Sequence, residues 1–208
     1  MSETETVVFV VDDDQDIRVS LSRALRMRGY TVEAYDSAQA FLEAYDESRI
    51  GCLVLDYGLP GMSGLELQAH INRAGFPLPI IFITGHGGVP ESVQAMKGGA
   101  VDFLEKPFRQ SVLAERIETA CRMAVEMTAA AGRRRDIDSR FDRLTARERE
   151  IVDFMVGHPG EVTSKEIGRT LDISPRTVDH HRARILEKLE LRSVVELIDL
   201  AKGLPRGA

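Results

Sequence analysis

Short runs of apolar residues alternate through the first 127 positions with segments whose apolar residues recur every three or four places. The runs at 7–11, 31–35, 52–55, 80–83 and 100–104 predict strands. Segments 17–28, 38–45, 64–74 and 89–97, with 111–127 after the last strand, predict helices. Five βα units follow. Runs such as VVFVV and IIFI are apolar at every position and need cover on both faces. The predicted sheet is therefore parallel with helices on either side, a doubly wound α/β domain, and its ligands belong beyond the carboxyl ends of the strands.

After Met127 the text turns small and polar, TAAAGRRRDIDSRFDR, and reads as a linker over 128–143. Leu113, Ile117, Ala120, Ala124, Met127 and Ala131 nevertheless keep the 4-3 spacing of a coiled-coil seam. Either the last helix of the α/β domain packs its stripe on the sheet, or it extends outward to dimerise. The arginines 133–135 read first as a solvated charge run. Residues 144–208 carry four short helical patterns with marked starts. Thr145-Ala-Arg-Glu148 and Thr163-Ser-Lys-Glu166 match the capping box, and Ser174-Pro175 supplies an N-cap followed by proline. A helix at 165–171, a tight turn and a helix at 175–189 have helix-turn-helix dimensions, with a fourth helix at 194–201.

Composition sharpens this division. The 208 residues carry a net charge of -6, but 1–127 hold 11 Lys+Arg against 19 Asp+Glu while 128–208 hold 16 against 14. An acidic half tethered to a mildly basic one suits a cation- or partner-binding domain joined to a nucleic-acid-binding domain. No apolar run approaches the ~20 residues that cross a bilayer, and the first residues are acidic where a signal peptide needs bases. A soluble cytoplasmic protein without membrane contact is expected. Two cysteines, Cys52 and Cys121, form neither a disulfide framework nor a metal cluster and are expected as buried, reduced thiols.

The first strand runs into Asp12, Asp13 and Asp14, and the third ends in Asp56. Anions gathered at one sheet edge need a cation among them, and carboxylates, carbonyls and water suit Mg²⁺. Thr84 ends the fourth strand and Lys106-Pro107 follows the fifth, adding a hydroxyl and an ammonium. A carboxylate nucleophile, a divalent ion, a hydroxyl donor and a fixed cation are the parts that aspartyl phosphate formation requires.

With DDD, LDYGLPGMSGLEL, ITGHGG and DFLEKPF at consecutive strand ends, residues 5 to about 125 resemble a response-regulator receiver domain, the last two motifs being close to the FixJ-type branch. The resemblance implies strand order 2-1-3-4-5 and a phosphoryl group accepted by Asp56 from a sensor histidine kinase. It implies Mg²⁺ held by Asp12 or Asp13 with Asp56 and the Gly58 carbonyl, and phosphoryl oxygens bound by Thr84 and Lys106. Phe103 stands where the family has an aromatic that turns inward as the threonine moves. Gly58 leaves bare a position that in many relatives carries a side chain near the attacking water, and His86 is a candidate to line that path.

LTAREREIV, SKEIGRTLDISPRTVDHHRARILEKL and RSVVELIDLA make residues 144–202 resemble the LuxR/FixJ-type DNA-binding domain. At 100° per residue, Val178, Ile185 and Leu189 share the core face of the recognition helix. Arg176, Asp179, His180, Ala183, Arg184 and Glu187 fall toward the groove side, where Ala183 suits a thymine methyl and Arg184 a guanine. His181 and Arg182 fall near the apolar edge and are expected inside the domain. Lys165, Arg176, Thr177 and Lys188 are the expected phosphate contacts. So modest a positive balance calls for a dimer on a roughly palindromic operator, with Val194, Val195 and Ile198 at its contact.

The sequence thus predicts a receiver domain over 1–127, a linker that is helical or a coiled coil over 128–143, and an all-α helix-turn-helix domain over 144–208. The expected function is a transcription factor that dimerises and binds its operator once phosphorylated, with no catalysis beyond its own phosphorylation and dephosphorylation. Two alternatives stand beside it: an aspartyl phosphohydrolase, for which no separate acid/base carboxylate is evident, and a phosphorylation-independent regulator whose receiver is a dimerisation module.

Overall fold

The computed structural model describes residues 6–85, 89–160 and 162–202, so His86 lies outside the described residues. The chain divides into two compact units, Met1–Ala131 and Gly132–Ala208. The first carries β1 (Val7–Val11), α1 (Gln15–Arg26), β2 (Thr31–Tyr35), α2 (Ala38–Ala44), β3 (Gly51–Asp56), α3 (Gly64–Ala74), β4 (Ile80–Thr84), α4 (Val89–Lys97) and β5 (Asp102–Glu105). The strands pair in parallel in the order β2-β1-β3-β4-β5.

Residues of β1, β3 and β4 are buried on both sides of the sheet because each face meets a different core. Phe9, Phe41, Leu53, Leu67, Ile71 and Phe82 fill one, under α2 and α3. Val8, Val10, Leu25, Val54, Ile81, Leu113 and Ile117 fill the other, under α1 and α5 (Gln110–Asp142). Each large apolar side chain so buried contributes about 1.5–3 kcal/mol.

The fifth strand starts at Asp102, two residues into its apolar run, and ends at Glu105, with the Val101 N–H bonding the Ile80 carbonyl as the chain enters the sheet edge. Of the alternatives for 128–143 the helical one forms: α5 does not end at Met127 but continues to Asp142. Ala129, Ala130 and Ala131 are strong helix formers, and one glycine, Gly132, costs only about 1 kcal/mol. Ion pairs at i,i+4 spacing, Arg134 to Asp138 and Arg140 to Asp136, support the polar part. Its heptad-like stripe packs on the sheet core through Leu113, Ile117 and Ala120; Ala124 is also buried, while Met127 is exposed.

In the second unit α6 (Ala146–Gly157), α7 (Ser164–Leu171), α8 (Pro175–Leu189) and α9 (Val194–Lys202) surround Leu144, Ile151, Met155, Ile167, Val178, Ile185, Leu189 and Leu197. Both capping boxes form, at Thr145 with Glu148 and at Thr163 with Glu166. The turn into α8 requires Gly168, because a Cβ there would stand 2.6 Å from the Ile173 carbonyl oxygen.

Candidate functional site

The three aspartates after β1 divide the work among them. Asp14 caps α1, its carboxylate accepting from the Asp16 and Ile17 N–H groups. Asp12 turns inward and is 1% exposed. Asp13 is exposed at the rim, and its carbonyl, like that of Asp12, accepts from the Arg18 guanidinium at 2.8 Å. Arg18 was not singled out in the sequence. Its signal is a base one turn inside a helix that follows an acidic loop.

Asp56 closes β3 and is also buried. Its Oδ2 accepts from the Gly58 N–H at 2.6 Å, and its Oδ1 accepts from Lys106 Nζ at 2.7 Å. Lys106 arrives from the end of β5, its N–H bonded to the Thr84 carbonyl and its peptide to Pro107 cis. Its ammonium reaches Asp12 Oδ2 as well, at 2.7 Å. Two buried carboxylates therefore share one cation. Burial lifts the Asp12 carboxyl above its ordinary value and the Asp56 charge adds to this, against the Lys106 and Asp14 hydrogen bonds. Burial alone would lower the Lys106 ammonium, but its bonds to Asp12 and Asp56 outweigh that and raise it.

Thr84 is buried at the end of β4, in line with Glu105 across the β4–β5 ladder. Two residues earlier on each strand Phe82 pairs with Phe103, their rings 6.2 Å apart, and Tyr57 meets Phe103 at 6.1 Å. Gly64 lies against this site, since a Cβ there would meet the Asp56 carbonyl at 2.6 Å and Phe82 at 2.9 Å. Among the described residues no three His, Cys, Asp or Glu side chains are already gathered as a metal-holding group. The excess of one buried negative charge and the all-oxygen donors of Asp12, Asp13, Asp56 and Gly58 fit a hard divalent cation such as Mg²⁺.

In the second unit the helix expected from the sequence to read DNA is α8. Val178, Ile185 and Leu189 are buried, and Arg176, Thr177, Asp179, His180, Ala183, Arg184 and Glu187 are exposed, as is Lys165 on α7. Several side chains are already engaged. Asp179 accepts from the Ser164 hydroxyl, and the Thr177 and Ser174 hydroxyls lie 2.7 Å apart. Arg182 bonds the Val162 carbonyl and the Ser164 hydroxyl, and the buried Nδ1 of His181 has no hydrogen-bond partner.

Lys188, an expected phosphate contact, is engaged within its own unit. Its ammonium lies 2.6 Å from Glu148, which is 2% exposed, and serves to neutralise that buried carboxylate. On α9 only Val195 of the three expected contact residues is exposed. Ile198 is buried and Val194 packs on the core, because a nine-residue helix closing a small domain needs most of its apolar face for that purpose. Among the described residues no helix is long and apolar enough to cross a membrane.

Comparison with known proteins places each unit in a family. Residues 8–118 match the response regulator receiver domain, and residues 142–201 match the bacterial regulatory proteins of the luxR family. The chain is 41% identical to the transcriptional regulatory protein FixJ of Rhizobium meliloti (strain 1021), over 95% of this chain and 96% of that one. It is 37% identical to the response regulator protein TodT of Pseudomonas putida, over 98% and 88% respectively. Among solved structures, the response regulator StyR is similar with a TM-score of 0.77 at 39% identity, over 96% of this chain and all of that one. Full-length FixJ from B. japonicum is similar with a TM-score of 0.56 at 39% identity, over 96% and 97%. The chain therefore belongs to the two-component response regulators that join a receiver domain to a LuxR-type DNA-binding domain.

Proposed function

We propose that Asp56 accepts a phosphoryl group from a sensor histidine kinase and that this drives a homodimer onto operator DNA. The observation that carries the reading is the Lys106 ammonium held between Asp12 and Asp56, residues 94 and 50 positions away. An Asp56 oxygen attacks phosphorus, the bond to the donor nitrogen breaks, and the Lys106 ammonium is placed to take up the phosphoryl oxygens, with the Thr84 hydroxyl as their second donor. Asp12 or Asp13, Asp56 and the Gly58 carbonyl would hold Mg²⁺, which supplies charge neutralisation for the transferred group.

The adduct adds ~1.5–2 units of negative charge if it resembles other phosphorylated side chains. Converting a 1:99 switch to 99:1 takes ~5.5 kcal/mol of differential stabilisation, a sum that the new Lys106, Thr84 and cation contacts supply together with dimer formation. The aromatic stack of Phe82, Phe103 and Tyr57 behind Thr84 supports Phe103 as the side chain that shifts. Arg176, His180, Ala183 and Arg184 then read bases, Lys165 and Thr177 position the domain on phosphates, and Val195 contributes to the dimer contact. We assign the receiver to 1–127, its helical extension to 128–143 and the DNA-binding domain to 144–208. The protein works in the cytoplasm, where kinase output and chromosome meet, and its only catalysis is its own phosphorylation and dephosphorylation.

The test is operator affinity and sedimentation with and without a small acyl phosphate and Mg²⁺, on operator sites selected from random duplex. The phosphorylated wild type should bind as a dimer at least tenfold more tightly than Asp56→Asn. Equal binding by the two would instead establish a phosphorylation-independent regulator.

A further inference from the structure

The two cysteines of the chain, 69 residues apart in sequence, meet in the core on the face of the sheet covered by α5. Cys52 of β3 and Cys121 of α5 place their sulfur atoms 3.8 Å apart, joined by a hydrogen bond. A disulfide needs about 2 Å, so rotation of two side chains and a small approach of helix to strand would close the gap. The two thiols are not equivalent. Cys52 is wholly enclosed, whereas Cys121 reaches the edge of the core and keeps 9% of its surface exposed. The hydrogen bond with Cys52 holds the Cys121 thiol below its ordinary value, against burial and with help from the Thr6 side chain. Cys52 is pushed well above its ordinary value by the same bond and by burial. Tyr30 packs against the same core.

We propose that Cys52 and Cys121 are a redox site, oxidised by peroxides to a reversible intramolecular disulfide in which Cys121 reacts first and Cys52 resolves. The Cys121 thiolate attacks one peroxide oxygen, the O–O bond breaks, and the sulfur becomes a sulfenic acid as the released hydroxide takes a proton to give water. Cys52 then attacks the Cys121 sulfur, the S–O bond breaks, and the departing oxygen leaves as a second water with the Cys52 proton. Two thiols and one peroxide thus yield one disulfide and two waters. Intracellular disulfides, where they occur, are mostly transient and redox-sensing, which suits a low-exposure pair better than a permanent staple. The bond would fasten α5 to the strand that carries Asp56, and it does not depend on any step of the phosphorylation reading.

The test uses the full-length reduced protein treated with hydrogen peroxide and followed by intact mass and by iodoacetamide labelling after denaturation. Wild type should lose two hydrogens from the cysteines, gain no oxygen on either cysteine peptide, remain monomeric on a non-reducing gel and recover both thiols with dithiothreitol. Cys52→Ala should accumulate a dimedone-trappable sulfenic acid at Cys121, and Cys121→Ala should oxidise at Cys52 at least tenfold more slowly. If Cys52→Ala does not fold, Cys52→Val refills the site and carries the same measurement. Oxygen retained on Cys121 of the wild type, covalent dimers, unreacted thiols or equal rates in the two variants would each overturn the proposal.

Discussion

Lys106 Nζ lies 2.7 Å from Asp56 Oδ1, so the segment after β5 is pinned to the end of β3 through one ammonium. The same nitrogen serves Asp12, which leaves the site one positive charge short of neutrality. On the function proposed above, that imbalance would suit a phosphoacceptor, because Asp12, Asp13, Asp56 and the Gly58 carbonyl would hold a divalent ion that offsets the excess negative charge.

Lys106→Ala should therefore lose on two counts. Two buried carboxylates stay together without a partner, which lowers receiver stability in urea unfolding by about 2–4 kcal/mol. Labelling by a small acyl phosphate should fall at least tenfold, and adding Mg²⁺ should restore stability more than labelling.

Asp12→Asn should have the opposite effect on stability. Burial holds the Asp12 carboxyl above its ordinary 3.8. The folded state therefore binds its proton more tightly than the unfolded state, and stability falls as pH rises from about 3.8 through the folded value. The amide carries no charge to desolvate, so it should raise receiver stability on the high-pH side of that fall while weakening Mg²⁺-dependent phosphorylation. A melting temperature lower than wild type at pH 7 would refute this assignment of charge.

In the DNA-binding unit the pH dependence has the other sign. Burial would raise Glu148, but the Lys188 bond, the Thr145 cap and the Lys188 charge together hold it below its ordinary 4.5. Its contribution is present above about pH 4.5 and is lost as pH falls through the lower folded value. Glu148→Gln should flatten that acid limb. Lys188→Ala should destabilise the unit by about 1–2 kcal/mol, less than for a fully buried pair because Lys188 is partly exposed, and should leave the salt dependence of DNA binding unchanged.

Gly168→Ala should disrupt the helix-turn-helix although alanine is the better helix former. Its methyl would stand 2.6 Å from the Ile173 carbonyl, and separating the two costs about 1–3 kcal/mol. Thermal unfolding of the C-terminal unit measures this, and operator affinity should fall with it.

Much of this was legible in the chain. The all-apolar strands announced a parallel sheet, and the acids and lysine at successive strand ends announced the site, because strand period and topology place those positions together. The capping boxes at Thr145 and Thr163 fixed two helix starts. What remained hidden depended on partners distant in sequence. Lys188 looks like any exposed lysine until the buried Glu148 is known, and Ile198 looks like interface until the size of the small core is known. For 128–143 the sequence left helix and open linker side by side, because Gly132 and the arginine run argue against a helix whose support comes from ion pairs one turn apart. The meeting of Cys52 with Cys121 required the packing of α5 on β3.

The most direct measurement is peptide mass mapping after incubation with a small acyl phosphate. With Mg²⁺ the wild type should carry one phosphoryl group, on the peptide containing Asp56, and the adduct should be absent without Mg²⁺ and in Asp56→Asn. An adduct that survives undiminished in Asp56→Asn, or a wild type that takes up none, would contradict the account.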